Sequence, residues 1–168
     1  MRRIHIIGRK NHGKTQLIVE LVGEFNRRGL RVGTIKHTHH HHELDTPGKD
    51  SHRHSQAGAA AVGILSRSMS AVFWPTDKQQ GREEDRYATF ATLFADFDLV
   101  LVEGDTQTVA PKIEVWRHEL GTEPIACHDH TILAVVTDSE PDCEAAIHRR
   151  SNVEGVASWI LDYLSKQT

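Results

Sequence analysis

Residues 2–17, RRIHIIGRKNHGKTQL, contain the pattern that decides the fold. Three isoleucines within positions 4–7 predict a short apolar strand, and the residues that follow, GRKNHGKT, match G-x-x-x-x-G-K-[ST] at every specified position. Apolar residues then recur at helical spacing from Leu17 to Phe25, and Gly29 follows as a candidate helix end. A strand, a glycine-containing loop and a helix in this order predict a phosphate-binding loop.

The defined positions of this loop have distinct expected roles. Gly8 and Gly13 allow a tight turn whose backbone N–H groups point inward at phosphates, and the positive end of the helix dipole lies at the same place. Lys14 is expected to reach the β and γ phosphates, and the Thr15 hydroxyl is expected to bind Mg²⁺. The variable positions complete the candidate nucleotide-binding loop: Arg9, Lys10, Asn11 and His12.

Strand and helix patterns alternate along the rest of the chain. Strands are predicted at residues 30–36, 61–65, 69–74, 97–105, 111–116 and 131–138. Helices are predicted at residues 50–61 and 83–95, and a capping box that begins at Ser151 precedes an amphipathic closing helix. The alternation predicts an α/β fold of the P-loop NTPase type. We expect a three-layer α/β/α sandwich with a mostly parallel sheet, in a single domain spanning residues 1–168.

Polar residues follow the apolar strands, where a parallel sheet of this kind binds its ligand. They are Lys36, His37, Glu103, Gly104 and Asp138. Glu103 stands where nucleotide-binding proteins place the carboxylate that holds Mg²⁺ or its water, so it is a candidate metal ligand, with Asp105 ranked below it. A carboxylate at Asp138 could accept from guanine N1 and N2. Helix capping explains Asp138 equally well, because no full N-K-x-D element is present.

Residues 35–54, IKHTHHHHELDTPGKDSHRH, hold seven of the chain's 13 histidines. Imidazole suits zinc, nickel and copper, but adjacent histidines in a loop also bind metal opportunistically. Asp45 and Asp50 flank a Pro-Gly turn, where an acid could sense the γ phosphate and its metal; Asp45 is thus a candidate metal ligand. Asp50 could instead cap the next helix. Residues 127–130, CHDH, form a second candidate cluster without the paired C-x-x-C of structural zinc sites.

The composition argues against several classes of protein. With 20 Lys and Arg against 23 Asp and Glu, the net charge is −3, which disfavours a broad nucleic-acid-binding surface. No apolar stretch reaches the roughly 18 residues that a membrane span requires, and the first residues lack a signal-peptide pattern. Cys127 and Cys143 are therefore expected to be reduced thiols of a cytoplasmic protein.

Several segments together resemble one family, the molybdopterin-guanine dinucleotide biosynthesis adapter proteins known as MobB. In chain order they are GRKNHGKTQL, GTIKHTHHHHELDTPGKDSHRHSQAGA, DLVLVEGDTQTVAPKIEV, EPIAC and NVEGVASWIL. The phosphate-binding loop is shared by many families, whereas the second and third segments are more specific. The first three histidines of the run belong to the resembling pattern, and His41 and His42 look like local additions.

This resemblance implies a function. It implies a homodimer that binds GTP with Mg²⁺ and assists the guanylyltransferase that attaches GMP to molybdopterin, with at most slow GTP hydrolysis. Molybdopterin itself is a further candidate partner. By position, the resemblance assigns phosphate binding to residues 8–15, the strand-end acid motif to Glu103 and Gly104, and a second signature to Lys36, His37, Asp45, Gly48, Lys49 and Asp50.

Two other functions stay open from the residues alone. A metallochaperone GTPase would bind nickel or zinc stoichiometrically through the histidine-rich segment or Cys127. A small metabolite kinase would prefer ATP and would need an arginine-bearing lid, for which residues 77–86, DKQQGREEDR, are the candidate. No residue of the sequence stands out as a dedicated catalytic base, which favours a weak GTPase.

Overall fold

A computed structural model of the chain describes residues 1–38, 46–74 and 83–167. The chain divides into two compact units: the larger contains Met1–Thr38 and Arg86–Thr168, and the smaller contains His39–Asp85. The single domain expected from the sequence stays a prediction. Within the described ranges, none of the helices is long and apolar enough to cross a membrane.

Strands and helices alternate in the order that the sequence patterns indicate. The strands are β1 (Arg3–Ile7), β2 (Val32–Lys36), β3 (Val62–Leu65), β4 (Ser70–Phe73), β5 (Leu99–Glu103), β6 (Lys112–Val115), β7 (Ile132–Val136) and β8 (Ala146–His148). The helices are α1 (Lys14–Arg27), α2 (Asp50–Gln56), α3 (Glu83–Leu93) and α4 (Val153–Ser165). The sequence analysis missed β8, a three-residue edge strand too short to show a period.

Six of these strands form a parallel sheet in the order β2-β5-β1-β6-β7-β8. The register places Ile6 of β1 and Lys36 of β2 opposite the same residue of β5, Glu103. On the other side of β1, Ile7 lies opposite Glu114 of β6. The carboxyl ends of the strands therefore share one edge, and the predicted α/β fold with a parallel sheet is confirmed.

The core forms on both faces of this sheet because successive strand residues point to opposite sides. Ile4, Ile6, Leu99 and Leu101 pack against α1 and α4 in the main apolar cluster. On the other face, Val100 and Val102 pack with side chains at either end of the α3 region: Tyr87 and Phe94. The sheet thus lies between helices, as the predicted three-layer architecture requires.

The two long helices end and begin where local chemistry dictates. Gly29 follows α1 with φ of 78°, a left-handed conformation that glycine adopts without strain, so the predicted helix end is confirmed. The capping box predicted to begin at Ser151 is wrong. Asn152 caps α4 instead, its side-chain oxygen accepting from the Gly155 N–H at 2.9 Å. The Ser151 hydroxyl is engaged elsewhere, since it donates to Asp138 at 2.8 Å.

The smaller unit contains α2 and a two-stranded antiparallel sheet. Helix α2 ends at Gln56, before the predicted end at residue 61, because Gly58 turns the chain with φ of 96°. Strands β3 and β4 are both confirmed, and they pair with each other, from Val62 opposite Phe73 to Leu65 opposite Ser70. They belong to a separate sheet from the six parallel strands.

Candidate functional site

The predicted phosphate-binding loop connects β1 to α1 through left-handed backbone. Asn11 has φ of 69° and Gly13, the residue before α1, has φ of 95°. Gly8 shows why its position must lack a side chain: a β-carbon there would lie 2.5 Å from the Val115 carbonyl oxygen of β6. The loop is thereby packed directly against the neighbouring strand.

Lys14 opens α1 and turns its side chain back over this loop. Its Nζ donates to the Arg9 carbonyl at 2.9 Å. Burial lowers the pKa of Lys14, the nearby Glu103 carboxylate raises it, and the Lys36 ammonium lowers it further. An amine held inside the loop, beside a second lysine, is placed to neutralise an anion that occupies the loop.

Thr15 and Glu103 meet across the interval between α1 and β5. The Thr15 hydroxyl donates to the Glu103 carboxylate at 2.9 Å. A hydroxyl and a carboxylate oxygen are the kind of hard ligands that Mg²⁺ takes together with nucleotide phosphates. These two side chains therefore fit the predicted metal site, and they are the residues that would hold the ion.

An open cavity of about 510 Å³ lies over the start of α1. Its walls are formed by Lys10, Asn11, Gly13, Lys14, Thr15, Gln16, Val19 and Glu103. Six of these residues were selected from the sequence, so the structure assembles the centre of the predicted site. Glu103 is the one carboxylate among the described residues that line it.

The residues around Glu103 form a tight junction between three strand ends. The His37 N–H donates to the Glu103 carbonyl at 2.9 Å, and the Gly104 N–H donates to the Ile6 carbonyl at 3.0 Å. Gly104 has φ of 91°, and a β-carbon there would lie 3.0 Å from the His37 carbonyl oxygen. Lys36, His37, Glu103 and Gly104 are thus brought together as predicted.

His12 has a structural role within the loop. Its side chain is buried; Nδ1 accepts from the Arg117 N–H at 3.0 Å, and Nε2 lies 3.3 Å from the Thr122 hydroxyl. Burial lowers the pKa of His12, and the charges of Lys14 and Arg9 lower it further. The neutral ring fastens the loop to the segment that follows β6.

Asp138 follows β7, two strands from β1. Its Oδ1 accepts from the Ser151 N–H at 2.9 Å and from the Ser151 hydroxyl at 2.8 Å, and these bonds lower the pKa of the carboxyl. The side chain therefore holds the segment that leads into α4. Its role as a reader of guanine stays a prediction.

Other predicted site residues lie in the smaller unit or outside the described ranges. Asp50 is the first residue of α2. Asp45 and the histidines at positions 39–42 lie outside the described residues. Within residues 1–38, 46–74 and 83–167, no three His, Cys, Asp or Glu side chains are grouped to hold a metal ion.

The predicted cluster at residues 127–130 is not assembled as a set of ligands. Its members face different partners: the Cys127 thiol lies 3.6 Å from the Asp142 carbonyl, and His128 lies 3.1 Å from Glu123. Asp129 pairs with Lys112 at 3.1 Å. These contacts serve local structure in the segment between β6 and β8.

The sequence analysis missed a buried polar network behind the strand-end junction. His5 is fully buried in β1, and its Nδ1 lies 3.3 Å from the Gly104 carbonyl. Beside it, the Tyr87 hydroxyl donates to the Asp105 carboxylate at 2.8 Å, and Asp105 adopts φ of 65°. The one available signal was a histidine inside an otherwise apolar strand. The network supports the turn that carries Glu103.

Comparisons of the sequence and of the structure with known proteins point to the same family. Residues 3–138 match the model of the MobB family, described as "Molybdopterin guanine dinucleotide synthesis protein B". The chain is 33% identical over 156 residues to the molybdopterin-guanine dinucleotide biosynthesis adapter protein of Escherichia coli K12, covering 92% of this chain and 89% of that protein. The protein of the same name from Haemophilus influenzae is 33% identical over 159 residues, covering 95% and 87%. A crystal structure of molybdopterin-guanine biosynthesis protein B superposes with a TM-score of 0.72 at 29% identity, covering 97% of this chain and 99% of that one.

The burial of His5 predicts a loss of stability in acid. Burial lowers the pKa of His5 from 6.5 to about 4, with Arg3 and His37 also lowering it and Gly104 and Asp105 raising it. Because the unfolded chain binds the proton more readily, the stabilisation is complete above pH 6.5 and is lost as the pH falls toward 4. That loss is about 3 kcal/mol at 1.36 kcal/mol per pKa unit.

Urea unfolding across this pH range, with wild type and His5→Gln compared, measures the effect. We expect His5→Gln to be less stable at neutral pH but to show a shallower decline between pH 6.5 and 4. His130→Gln, which removes an exposed histidine, should retain the wild-type decline. Parallel curves for His5→Gln and wild type would contradict the assignment of this titration to His5.

Proposed function

This chain belongs to the MobB family, and we propose that it is a GTP-binding adapter protein of molybdenum cofactor biosynthesis. In this proposal it binds GTP with Mg²⁺ and assists the guanylyltransferase that forms molybdopterin guanine dinucleotide. The names of its relatives support the pathway, since the proteins from E. coli and H. influenzae are both called biosynthesis adapter proteins. A cytoplasmic location and direct contact with molybdopterin stay predictions.

One observation carries the nucleotide-binding part of the proposal. Lys14, Thr15 and Glu103 come together at one cavity, although Glu103 is 88 residues from Thr15 along the chain. A site for a nucleoside triphosphate with Mg²⁺ requires a loop that binds the phosphates, a lysine that neutralises them and oxygen ligands for the ion. Mg²⁺, when bound there, would neutralise charge on the β and γ phosphates.

The same cavity supports slow hydrolysis at most. Glu103 is its one carboxylate among the described residues, and it is already bonded to Thr15. An acid used to hold Mg²⁺ is poorly placed to activate an attacking water as well. A protein of this kind would bind GTP for long periods, which suits an adapter that acts through its partner.

Replacing Lys14 with Ala should abolish GTP binding and leave the fold intact, because the amine faces the loop and donates its hydrogen bond to a backbone carbonyl. We expect at least a roughly 100-fold rise in Kd, about 2.7 kcal/mol. Isothermal titration with Mg²⁺–GTP measures the affinity, and circular dichroism checks the fold. The matched control is Lys166→Ala, which removes an exposed lysine after the last turn of α4. Unchanged GTP binding by Lys14→Ala would refute the phosphate-loop assignment.

The same two variants test the adapter role. Purified guanylyltransferase is supplied with molybdopterin and GTP, and the formation of molybdopterin guanine dinucleotide is followed with and without this chain. Wild type and Lys166→Ala should raise the yield or rate, and Lys14→Ala should not. Equal stimulation by all three chains would separate the adapter role from nucleotide binding.

The homodimer in this proposal needs an apolar contact surface, and the β3–β4 hairpin offers one. Leu65, Met69 and Val72 are 86%, 67% and 55% exposed. Gly63 lies opposite Val72, and Leu65 stands two residues further along β3, so Leu65 and Val72 share a face of the hairpin. Exposed apolar groups at this density favour a protein contact over solvent.

The double substitution Leu65→Ser and Val72→Ser should convert the dimer to a monomer, because it makes this face polar. Sedimentation velocity at several protein concentrations measures the state. Val109→Ser, which changes an exposed valine of the larger unit outside this hairpin, should leave the dimer intact. If the wild-type chain sediments as a monomer, the proposed homodimer is wrong. If the double variant still sediments as a dimer, the hairpin is not the dimer interface.

A further inference from the structure

Arg117 lies against the phosphate-binding loop, although no sequence motif selects it. It follows β6 directly after the buried Trp116. A β-carbon built on Gly13 would lie 2.7 Å from Nη2 of Arg117 and 3.2 Å from both Cζ and Nε. Three atoms of the guanidinium therefore approach the same point of the loop.

The backbone of Arg117 is fixed to that loop through His12. Its N–H donates to Nδ1 of His12 at 3.0 Å, and His12 also lies 3.3 Å from the Thr122 hydroxyl. The Trp116 indole N–H donates to the Thr122 carbonyl at 2.7 Å, which closes the segment into a compact turn. The position of the Arg117 side chain is therefore set by a rigid base rather than by a free loop.

Within the described part of the chain, the Arg117 guanidinium has no partner of opposite charge. Four of the other arginines of the larger unit pair with carboxylates: Arg27, Arg28, Arg149 and Arg150. Among the described residues, no carboxylate or hydrogen-bond acceptor pairs with the Arg117 side chain, which is exposed. A planar cation, held in place and without a partner, is available to a ligand.

The position of Arg117 along the sheet edge indicates which part of a nucleotide it meets. Strand order places β5 on one side of β1 and β6 on the other. The Thr15–Glu103 pair, which fits Mg²⁺ and the terminal phosphates, lies on the β5 side. Arg117 follows β6 and is absent from the walls of the cavity that contains this pair. A nucleotide that occupied the loop with its terminal phosphates toward β5 would extend its nucleoside toward β6.

We propose that Arg117 binds the nucleoside part of the nucleotide, with its guanidinium stacked on the face of the base. This inference rests on the proposed function, because it requires that a nucleotide occupies the loop. Guanidinium planes stack well on aromatic rings, and stacking on a base contributes about 1–3 kcal/mol by substitution. Stacking is tolerant of base identity, so Arg117 strengthens binding while a different group discriminates guanine from adenine.

The test separates the nucleoside from the phosphates by comparing GTP with inorganic tripolyphosphate, both with Mg²⁺. Each ligand competes against a fluorescent GTP analogue on wild type, Arg117→Ala and Arg117→Lys. We expect Arg117→Ala to lower the affinity for GTP at least about fivefold, which follows from the stacking energy of one base. The affinity for tripolyphosphate should stay within about twofold of the wild-type value. Arg117→Lys retains the charge but not the plane, so it should resemble Arg117→Ala. Arg2→Ala, at the opposite edge of the sheet, is the matched control.

Each outcome decides for or against the stacking of Arg117 on the base. Equal losses of affinity for GTP and for tripolyphosphate would show that Arg117 binds phosphates, which would overturn the proposal. Full recovery of GTP affinity in Arg117→Lys would overturn it too. Unchanged affinity for GTP in Arg117→Ala would overturn it as well. Failure of the wild-type chain to bind GTP would instead count against the proposed function. Thermal unfolding of each variant shows whether a loss reflects misfolding.

Discussion

The hydrogen bond from Thr15 to Glu103, 2.9 Å long, joins the start of α1 to the end of β5. It forms only if the loop turns back tightly after β1 and if β5 pairs in register beside it. The first condition depends on Gly8, which passes too close to the Val115 carbonyl for any side chain. The second depends on the parallel pairing that places Ile6 opposite Glu103. Cavity, charge and candidate metal ligands all follow from these two constraints.

Positive charge accumulates at this edge of the sheet while the chain as a whole carries a net charge of −3. Lys14 has a lowered pKa because it is partly buried and has Lys36 as a neighbour. Arg117 lies against the same loop, and no carboxylate of the described ranges pairs with it. Like charges held close together destabilise the folded chain unless an anion separates them. Such a concentration of cations is typical of a site that binds an anion, as the proposed function requires.

The residues that meet at the centre of the candidate site could be selected from the sequence because their signals are local. The phosphate-binding loop is contiguous, and Glu103 stands out as an acid at the end of an apolar strand. The contacts that support these residues are long-range: His5 reaches Gly104 and His12 reaches Arg117, pairs 99 and 105 residues apart. No pattern of spacing reports such pairs. The capping error at Ser151 has the same origin, since Asp138, 13 residues earlier, competes for its hydroxyl.

Titration of the wild-type chain with GTP and, separately, with ATP, each with Mg²⁺, tests the central claim most directly. If the cavity at Lys14, Thr15 and Glu103 serves an adapter that uses GTP, both the binding and its preference should appear without any partner protein. We expect GTP to bind at least about tenfold more tightly than ATP, a difference of 1.4 kcal/mol. Equal or tighter binding of ATP would contradict the claim and favour a kinase that shares only the fold.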